Sequence, residues 1–400
     1  MTWPRIAGLA GCLTVVIVAV VLLVGGGNGG RAVLEAGPSF GASTSTPAST
    51  TVPASTTSAP AGTGTANATA AASSGGLPAP AARAVARLFL IGFGGRRAPR
   101  GVLRRFALHE WGGVVLQPGN GVSPQQVADL VGQVRGAARR AGHEPPLIAA
   151  SQLGGDLDAV PVGAALQSAA GDAAGARAWS LAVAGALRPL GIRMVLAPDG
   201  DIGYAGGPWE GIAFSDDPAT AATMTAAAVS GWKDGGVAPV PGHFPGEGAA
   251  SGDPALEAAT VGVSLDELRQ RDLQPFAAIA AQAPAIQLSA ATYVAFDGVT
   301  PATLLPDVVT LLRRDYNFDG VIVSGDLAAA SLAGGEPVAD LAVRAVKAGV
   351  DLVWIPGDAG DQDASWRAVV RALRTGEIPA SRVADALRRV GVLRASYSVN

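Results

Sequence analysis

The pattern of hydrophobic and polar positions divides the 400-residue chain into three parts. Ile6 to Val24 is a run of 19 residues without a charge. Gly25 to Pro80 is dominated by Gly, Ser, Thr, Ala and Pro. From Ala81 to Asn400, short apolar runs alternate with segments of helical periodicity, which is typical of parallel strands joined by crossover helices. The third part is therefore predicted to be the folded domain.

Eight apolar runs in this third part are predicted to be strands. Two of the intervening helices also carry end signals: Ser123 and Pro124 begin a helix to about Arg140, and Gly191 ends a helix that spans Ala173 to Leu190. Eight βα units in about 320 residues predict a single TIM-type (β/α)8 barrel, with an open doubly wound sheet as the alternative. The predicted strands are Arg87 to Phe93, Gly113 to Leu116, Leu147 to Ala150, Ile192 to Leu196, Val237 to Val240, Ile286 to Ser289, Val321 to Ser324 and Leu352 to Ile355.

The run Ile6 to Val24 is long enough to cross a membrane. As an α-helix it would extend about 28 Å, close to the hydrocarbon thickness of a bilayer. Arg5 and the amino terminus favour an inside N-terminus, so the rest of the chain is expected on the extracytoplasmic side of the cell membrane. A cleaved signal peptide and a lipoprotein, with Cys12 closing a lipobox-like stretch, are the alternatives. Each alternative exports the domain.

Residues 25–80 are predicted to be a disordered linker. Their composition cannot bury enough apolar surface to offset the entropy of ordering the chain. The predicted organisation is therefore an anchor or signal at 1–24, a linker at 25–80 and one barrel at 81–400.

Charge and composition exclude several classes of function. A net charge of −3 and few aromatic residues argue against nucleic-acid binding. One cysteine excludes an intramolecular disulfide, and three widely spaced histidines do not predict a metal site. Arg97 occupies the third glycine position of a dinucleotide fingerprint, and neither a P-loop nor a Gly-x-Ser-x-Gly elbow is present. No cofactor is therefore predicted.

Several motifs occur in the order in which one enzyme family carries them. His243 to Gly248 resembles the Lys-His-Phe-Pro-Gly-His-Gly motif of bacterial β-N-acetylhexosaminidases of glycoside hydrolase family 3. Further segments are similar to that family over almost the whole third part, from Ala84 to about Tyr397. They are Gln152 to Gly155, Ala197 to Asp201, Phe214 with Asp217 and Pro218, Leu265 to Phe276, and Leu311 to Leu327. The resemblance implies a barrel that acts on glycosidic bonds.

The catalytic positions that the resemblance implies are substituted. The family's nucleophile, an aspartate after the seventh strand, aligns with Gly325, which has no side chain to form a glycosyl ester. The family's acid/base histidine aligns with Ala255, which cannot transfer a proton, although the aspartate of the same loop is retained as Asp253.

The sugar-binding positions implied by the resemblance change in the same way. The lysine and the second histidine of the motif are replaced by Gly242 and Glu247. The other substituted positions are Ser151, Leu153, Asp156, Ile212 and Ala290.

The remaining polar residues are the candidates for function. Asp326, next to Gly325, is a possible surrogate nucleophile or, alternatively, a structural carboxylate that caps a helix. Glu247 and Asp253 are a possible carboxylate pair. The residues predicted to contact substrate are Gln152, Asp201, His243 and Glu247.

Three hypotheses follow. The chain is an inactive barrel that binds N-acetylglucosamine-containing glycan, such as peptidoglycan, or an unknown protein partner. Alternatively, it is a residual glycosidase that uses Asp326 or another carboxylate at the mouth, or it is a purely structural scaffold.

Overall fold

The computed structural model describes residues 79–398. The predicted membrane segment and all but the last two residues of the predicted linker lie outside these residues. Residues 79 and 80 belong to a helix, so the predicted boundary between linker and domain falls inside an element. None of the helices in the described part combines the length and the hydrophobicity that crossing a bilayer requires.

Ten strands and twelve α-helices follow one another along residues 79–398. The strands are β1 Phe89–Ile91, β2 Gly113–Leu116, β3 Leu147–Ser151, β4 Met194–Leu196, β5 Ala238–Pro239, β6 Thr260–Val261, β7 Ala285–Gln287, β8 Thr292–Tyr293, β9 Val321–Val323 and β10 Val353–Ile355. The helices are α1 Ala79–Ala86, α2 Arg100–Leu108, α3 Pro124–Arg140, α4 Ala173–Leu187, α5 Pro218–Asp234, α6 Leu265–Gln270, α7 Gln274–Ile279, α8 Pro306–Thr310, α9 Leu327–Gly334, α10 Val338–Ala348, α11 Ala359–Thr375 and α12 Ala380–Tyr397.

Eight of the strands form a closed ring. Six pair in parallel in the order β10-β1-β2-β3-β4-β5, and β7 pairs in parallel with β9. Parallel bridges from Phe244 to Leu288 and from Val323 to Leu352 join these two sheets on both sides. The prediction of a TIM-like α/β barrel therefore agrees with the observed pairing, and the open sheet does not. The remaining pair, β6 and β8, links the loop after β5 to the loop after β7.

The predicted helix ends depend on capping. Ser123 accepts a hydrogen bond from the Gln126 backbone N–H and caps α3, as predicted. The helix predicted to reach Leu190 is α-helical only to Leu187 and continues as a 3₁₀ turn, because Pro189 has no N–H to donate. Gly191, with φ +88°, ends this turn in the left-handed region.

One hydrophobic core fills the barrel and the space between strands and helices. The side chains of β1, β2, β7, β9 and β10 are buried throughout, as expected for parallel strands covered on both faces. Neighbouring helices pack side by side, including α4 with α5 and α10 with α11. This packing gives the loops at the strand ends a rigid support.

Candidate functional site

A cavity of about 180 Å³ opens at the carboxyl ends of the ring strands. Its wall includes Ser151 at the end of β3, Gln287 at the end of β7 and Gly325 two residues after β9. This is the end of a TIM barrel where βα loops build active sites. The volume lies below the 300–1,000 Å³ typical of small-molecule pockets.

The loop after β5 supplies the polar centre of this cavity. The His243 Nδ1 lies 2.8 Å from Asp201 Oδ2 and 3.4 Å from Glu247 Oε2. Asp201 Oδ1 accepts a 2.6 Å hydrogen bond from the Glu247 backbone N–H. Glu247 Oε1 in turn accepts a 3.1 Å hydrogen bond from the Ala290 N–H. One imidazole and two carboxylates thus tie the loops after β4, β5 and β7 together.

Burial sets the protonation of this centre. Burial disfavours the charged imidazole of His243, but the charge of Glu247, the hydrogen bond to Asp201 and the charges of Asp201 and Asp199 raise its pKa to about 10. Burial also raises the pKa of Glu247 to about 7, with the His243 charge opposing this rise and Asp201 adding to it. The pKa of Asp199 is raised well above its usual value by burial and by Asp201. At neutral pH His243 is therefore a partly buried cation held by carboxylates.

Three of these groups have ligand atoms that a metal ion could use. The nearest atoms of Asp199, Asp201 and His243 all lie within 4.8 Å of one another. However, His243 Nδ1 and both Asp201 oxygens already take part in hydrogen bonds. A metal would have to break the bonds that Asp201 and His243 make with each other and with the Glu247 N–H.

Gly325 lies where β9 meets the cavity, and its surroundings leave no room for a side chain. A Cβ built on Gly325 would lie 2.9 Å from the Ala290 backbone N, 3.0 Å from the Leu288 carbonyl O and 3.1 Å from the Ala290 Cβ. The two closest atoms belong to the backbone and cannot rotate away. The segment from Leu288 to Ala290 therefore occupies the space that a side chain at 325 would need.

Asp326 follows Gly325 and begins α9. Its Oδ1 accepts hydrogen bonds of 2.8 and 3.0 Å from the backbone N–H groups of Ala328 and Ala329. This carboxylate is therefore the N-cap of α9, one of the two roles predicted for it. The side chain also lines the cavity, and no described residue donates a hydrogen bond to its Oδ2. Burial raises its pKa, which the two N–H groups oppose.

The loop between β5 and β6 forms the rim of the cavity. Asp253 Oδ1 accepts a 2.8 Å hydrogen bond from the Ala255 backbone N–H and so stabilises its own turn. Ala255 is exposed at this rim. Asp253 and Glu247 both line the cavity, but no hydrogen bond joins them within the described part of the chain. Glu247 contacts His243, and the pairing of Glu247 with Asp253 across the cavity stays a prediction.

Not every predicted contact residue faces the cavity. Gln152 is completely buried. Its side-chain Nε2 donates to the Val160 carbonyl O at 3.0 Å, and its Oε1 accepts from the Val160 backbone N–H at 3.3 Å. The side chain of Asp201 has no exposed surface and lies behind His243. Asp156 and Ile212 do not line the cavity. The substituted positions that do line it are Ser151, Leu153, Gly242, Glu247, Ala255, Ala290 and Gly325.

Two residues of the site were not predicted. Trp209, in the loop after β4, stacks on His243 with ring centroids 4.8 Å apart and an interplanar angle of 25°. Asp199 lines the cavity, and its buried Oδ2 has no hydrogen-bond partner among the described residues. A tryptophan within a Gly- and Pro-rich loop was the available signal for Trp209. Asp199 stands two positions before the predicted Asp201.

A closed ring of parallel strands covered by helices is a TIM-like barrel. The histidine and carboxylates described above lie at the carboxyl ends of its strands, where TIM-barrel enzymes carry their active sites. The chain belongs to glycosyl hydrolase family 3, since the model of that family's N-terminal domain matches residues 88–393. The predicted family is therefore confirmed.

Named relatives and solved structures agree with this assignment. A β-hexosaminidase of Stenotrophomonas maltophilia is 36% identical over 243 residues, which are 56% of this chain and 70% of that protein. A β-hexosaminidase of Mycobacterium tuberculosis is 32% identical, over 52% of this chain and 55% of that protein.

Two structures overlay well on the described fold. A family 3 β-N-acetylglucosaminidase from Paenibacillus has a TM-score of 0.74 and 29% identity, covering 79% of this chain and 62% of that one. A β-N-acetylhexosaminidase from Beutenbergia cavernae has a TM-score of 0.71 and 28% identity, covering 78% of this chain and 98% of that one. This chain thus spans less than two thirds of the Paenibacillus protein.

Proposed function

We propose that this chain is a non-hydrolysing member of its family that binds N-acetylglucosamine-containing glycan or a protein partner. The observation that carries the proposal is the crowding at Gly325. A retaining glycosidase needs a nucleophile on one side of the scissile bond and a proton donor on the other. At 325 there is no side chain, and one could be placed there only if the backbone atoms that lie 2.9 and 3.0 Å from the Cβ position moved.

The position of the proton donor supports the same proposal. Ala255 has no titratable group, and Asp253 is engaged in its own turn through the Ala255 N–H. The imidazole that does lie in the cavity, His243, is held by Asp201 and Glu247 and stacked under Trp209. With its pKa raised to about 10, it is a poor proton donor at neutral pH.

Ligand binding is proposed from the relatives and from the composition of the cavity. The relatives are named as β-hexosaminidases and β-N-acetylglucosaminidases, so their ligands are the first to test. Within the described residues, the wall carries no Lys or Arg and offers Asp199, Glu247 and Asp253 as acceptors for hydroxyl groups. The small volume fits one sugar unit or the end of a chain better than an extended glycan.

The proposed place of action is outside the cytoplasm. The uncharged run Ile6 to Val24 supports a membrane anchor, and the linker that follows would hold the barrel at a distance from it. Protease accessibility of the barrel on intact cells tests this placement. A barrel that is protected until the membrane is permeabilised would contradict it.

The test of the main proposal is hydrolysis of an aryl β-N-acetylglucosaminide by the full chain. We expect no release above buffer, while a family relative assayed in parallel is active. Titration with chitooligosaccharides and muropeptides should give saturable binding that weakens in Glu247→Gln. Folded protein that binds neither glycan would favour the protein partner or the structural scaffold, and hydrolysis by the unmodified chain would contradict the proposal.

A second function, residual glycosidase activity, is supported by one observation. Asp326 lines the cavity, and its Oδ2 accepts no hydrogen bond from the described residues. Asp326→Asn is the informative variant, because asparagine also caps helices but cannot form a glycosyl ester. A wild-type rate that disappears in Asp326→Asn would establish this function. An equal background rate in both proteins would exclude Asp326 as a nucleophile.

A further inference from the structure

A second cavity, of about 460 Å³, lies at the opposite pole of the barrel. Its wall includes Leu147, where β3 begins, and Arg193, the residue before β4. The last turns of α12 close it on one side through Arg394 and Tyr397. It shares no residue with the cavity at the carboxyl ends. Its volume falls within the range typical of small-molecule sites.

The wall of this second cavity is strongly cationic, although the chain as a whole has a net charge of −3. Four guanidinium groups line it, against the single carboxylate of Glu144. The four are Arg87, Arg135, Arg193 and Arg394. Arg394 lies 3.3 Å from Glu144, and Arg87 pairs with Glu110, which stands outside the wall. The formal charge of the lining residues is therefore +3.

The like charges in this wall oppose one another. Burial lowers the pKa of Arg135, and the nearby charges of Arg139 and Arg193 lower it further. Burial and the charge of Arg188 lower the pKa of Arg193. Clustering several cations in a partly desolvated concavity costs electrostatic free energy that a bound anion would recover.

Arg193 is fixed in place with its charge open to a ligand. Its backbone N–H donates to Ile148 O, and its carbonyl accepts from Ala238, so the sheet holds it on both sides. Its guanidinium donates to the carbonyls of Arg188 and Ile192, at 2.6 and 3.2 Å. No carboxylate of the described residues lies within 4.0 Å of it. The group thus keeps a full positive charge at the cavity wall.

The remaining surface of this cavity is apolar. The larger side chains in this surface are those of Leu147, Ile148, Val390 and Tyr397. Two prolines and a glycine also line the cavity and add no charge: Pro145, Pro146 and Gly191. A ligand that fits therefore combines anionic groups with a less polar body. A lone inorganic ion would leave most of the volume empty.

We propose that this arginine-lined cavity binds a phosphate ester. Guanidinium groups match phosphate oxygens with paired N–H donors, and a phosphate monoester carries about −1.5 to −2 charges at pH 7, which suits a wall of several arginines. The phosphate can belong to a soluble compound or to a phosphodiester polymer. This site is independent of the function proposed for the carboxyl-end cavity.

Calorimetric titration of the full chain tests the proposal with two probes. Phenyl phosphate, a phosphate monoester with a less polar body, represents soluble phosphate esters, and a glycerol-phosphate oligomer represents phosphodiester polymers. We expect saturable binding of one probe at one site per chain. Arg193→Gln should weaken it about ten-fold or more, because a charge-assisted contact is lost. Arg193→Lys keeps the charge but loses the planar guanidinium group. Its affinity for the probe should lie between those of the wild type and Arg193→Gln.

The matched control is Arg374→Gln, which removes the same charge from an exposed position of α11 outside the cavity. Thermal unfolding without ligand establishes that each variant is folded, and Arg193→Lys carries the comparison if Arg193→Gln is not. Unchanged affinity in Arg374→Gln supports the site, and the probe that binds identifies the source of the phosphate. Absence of binding to both probes, or equal weakening by the control, would overturn the proposal.

Discussion

Replacing Gly325 by alanine adds one methyl group at the most crowded point of the candidate site. The new Cβ would approach the Ala290 N at 2.9 Å and the Leu288 carbonyl O at 3.0 Å. Both neighbours are backbone atoms. Ala290 is also held in place, since its N–H donates to Glu247 Oε1 at 3.1 Å. The methyl group can be accommodated only if this segment moves by several tenths of an ångström.

The size of the effect follows from two opposing contributions. Overpacking a rigid environment by one methyl group destabilises a protein by about 1–3 kcal/mol. Alanine also has less conformational entropy than glycine in the unfolded chain, and this stabilises the folded protein by about 0.4–1 kcal/mol. The φ of Gly325 is not in the left-handed region, so backbone strain adds nothing. The net expectation is a loss of about 1.3 kcal/mol in the free energy of unfolding from the midpoints of these ranges, with limits of about 0 and 2.6 kcal/mol.

Chemical denaturation of the two proteins measures this difference directly. The matched control is Gly132→Ala in α3, where a Cβ would have no heavy atom within 4 Å. There the greater helix propensity of alanine should stabilise the protein by about 0.5–1 kcal/mol. The two substitutions are thus expected to have opposite signs. If Gly325→Ala were as stable as the wild type or more so, position 325 would have room for a side chain and the main support for the proposed loss of hydrolysis would be gone.

Three further predictions concern the neighbouring residues. Asp326→Ala should lower the free energy of unfolding by about 1 kcal/mol, because the α9 cap is lost. Asp326→Asn should keep most of this capping stability, and equal losses of the two variants in chemical denaturation would contradict the capping role. The pKa of His243 is raised from 6.5 to about 10 by folding, so its stabilisation is complete below pH 6.5 and disappears as the pH rises towards 10. Urea midpoints should therefore fall over this range in the wild type and fall less in His243→Gln, and parallel profiles would refute this assignment. Gln152→Ala should cost about 1–3 kcal/mol, because the N–H and carbonyl of Val160 lose their buried partner, and glycan or phosphate binding by the folded variant should be unchanged.

Most of the barrel could be predicted from the sequence because its strands are compact apolar runs. The ends of the observed ring strands differ from the predicted ends by at most two residues. β2 coincides with its prediction, β3 ends one residue later at Ser151, β7 begins one residue earlier at Ala285, and the other five lie within the predicted runs. The run predicted as Val237 to Val240 is regular only over Ala238–Pro239, since the Val240 N–H is shared between the carbonyls of Val195 and Ala197. Local irregularity of this kind depends on neighbouring strands and leaves no pattern in the sequence.

Other elements are set by tertiary contacts. β6 and β8 have two residues each and no alternation of their own, so hydrophobic periodicity cannot identify them. The family-like segment Leu265 to Phe276 contains α6 and the start of α7, which are separated at Arg271, and Pro275 lies in the first turn of α7.

The site was predictable in its location but not in its orientation. The order of motifs placed His243, Glu247, Asp253, Gly325 and Asp326 at one end of the barrel, and all five line the cavity. Which side chains face inwards depends on hydrogen bonds between loops. Gln152 and Asp201 were predicted to contact substrate, but Gln152 bonds Val160 in its own loop, and Asp201 bonds His243 and Glu247 in the loop after β5. The stacking of Trp209 on His243 likewise joins residues from two loops.

The contact between Gly325 and the Leu288 to Ala290 segment also bears on how this chain could change over generations. A mutation that introduced aspartate at 325 would meet a backbone that Glu247 holds through the Ala290 N–H and that Phe244 O holds through the Ser289 N–H. We expect such a change to lower stability unless this segment has first been loosened. Substitutions at other positions, Glu247 first among them, would therefore have to come before an aspartate at 325.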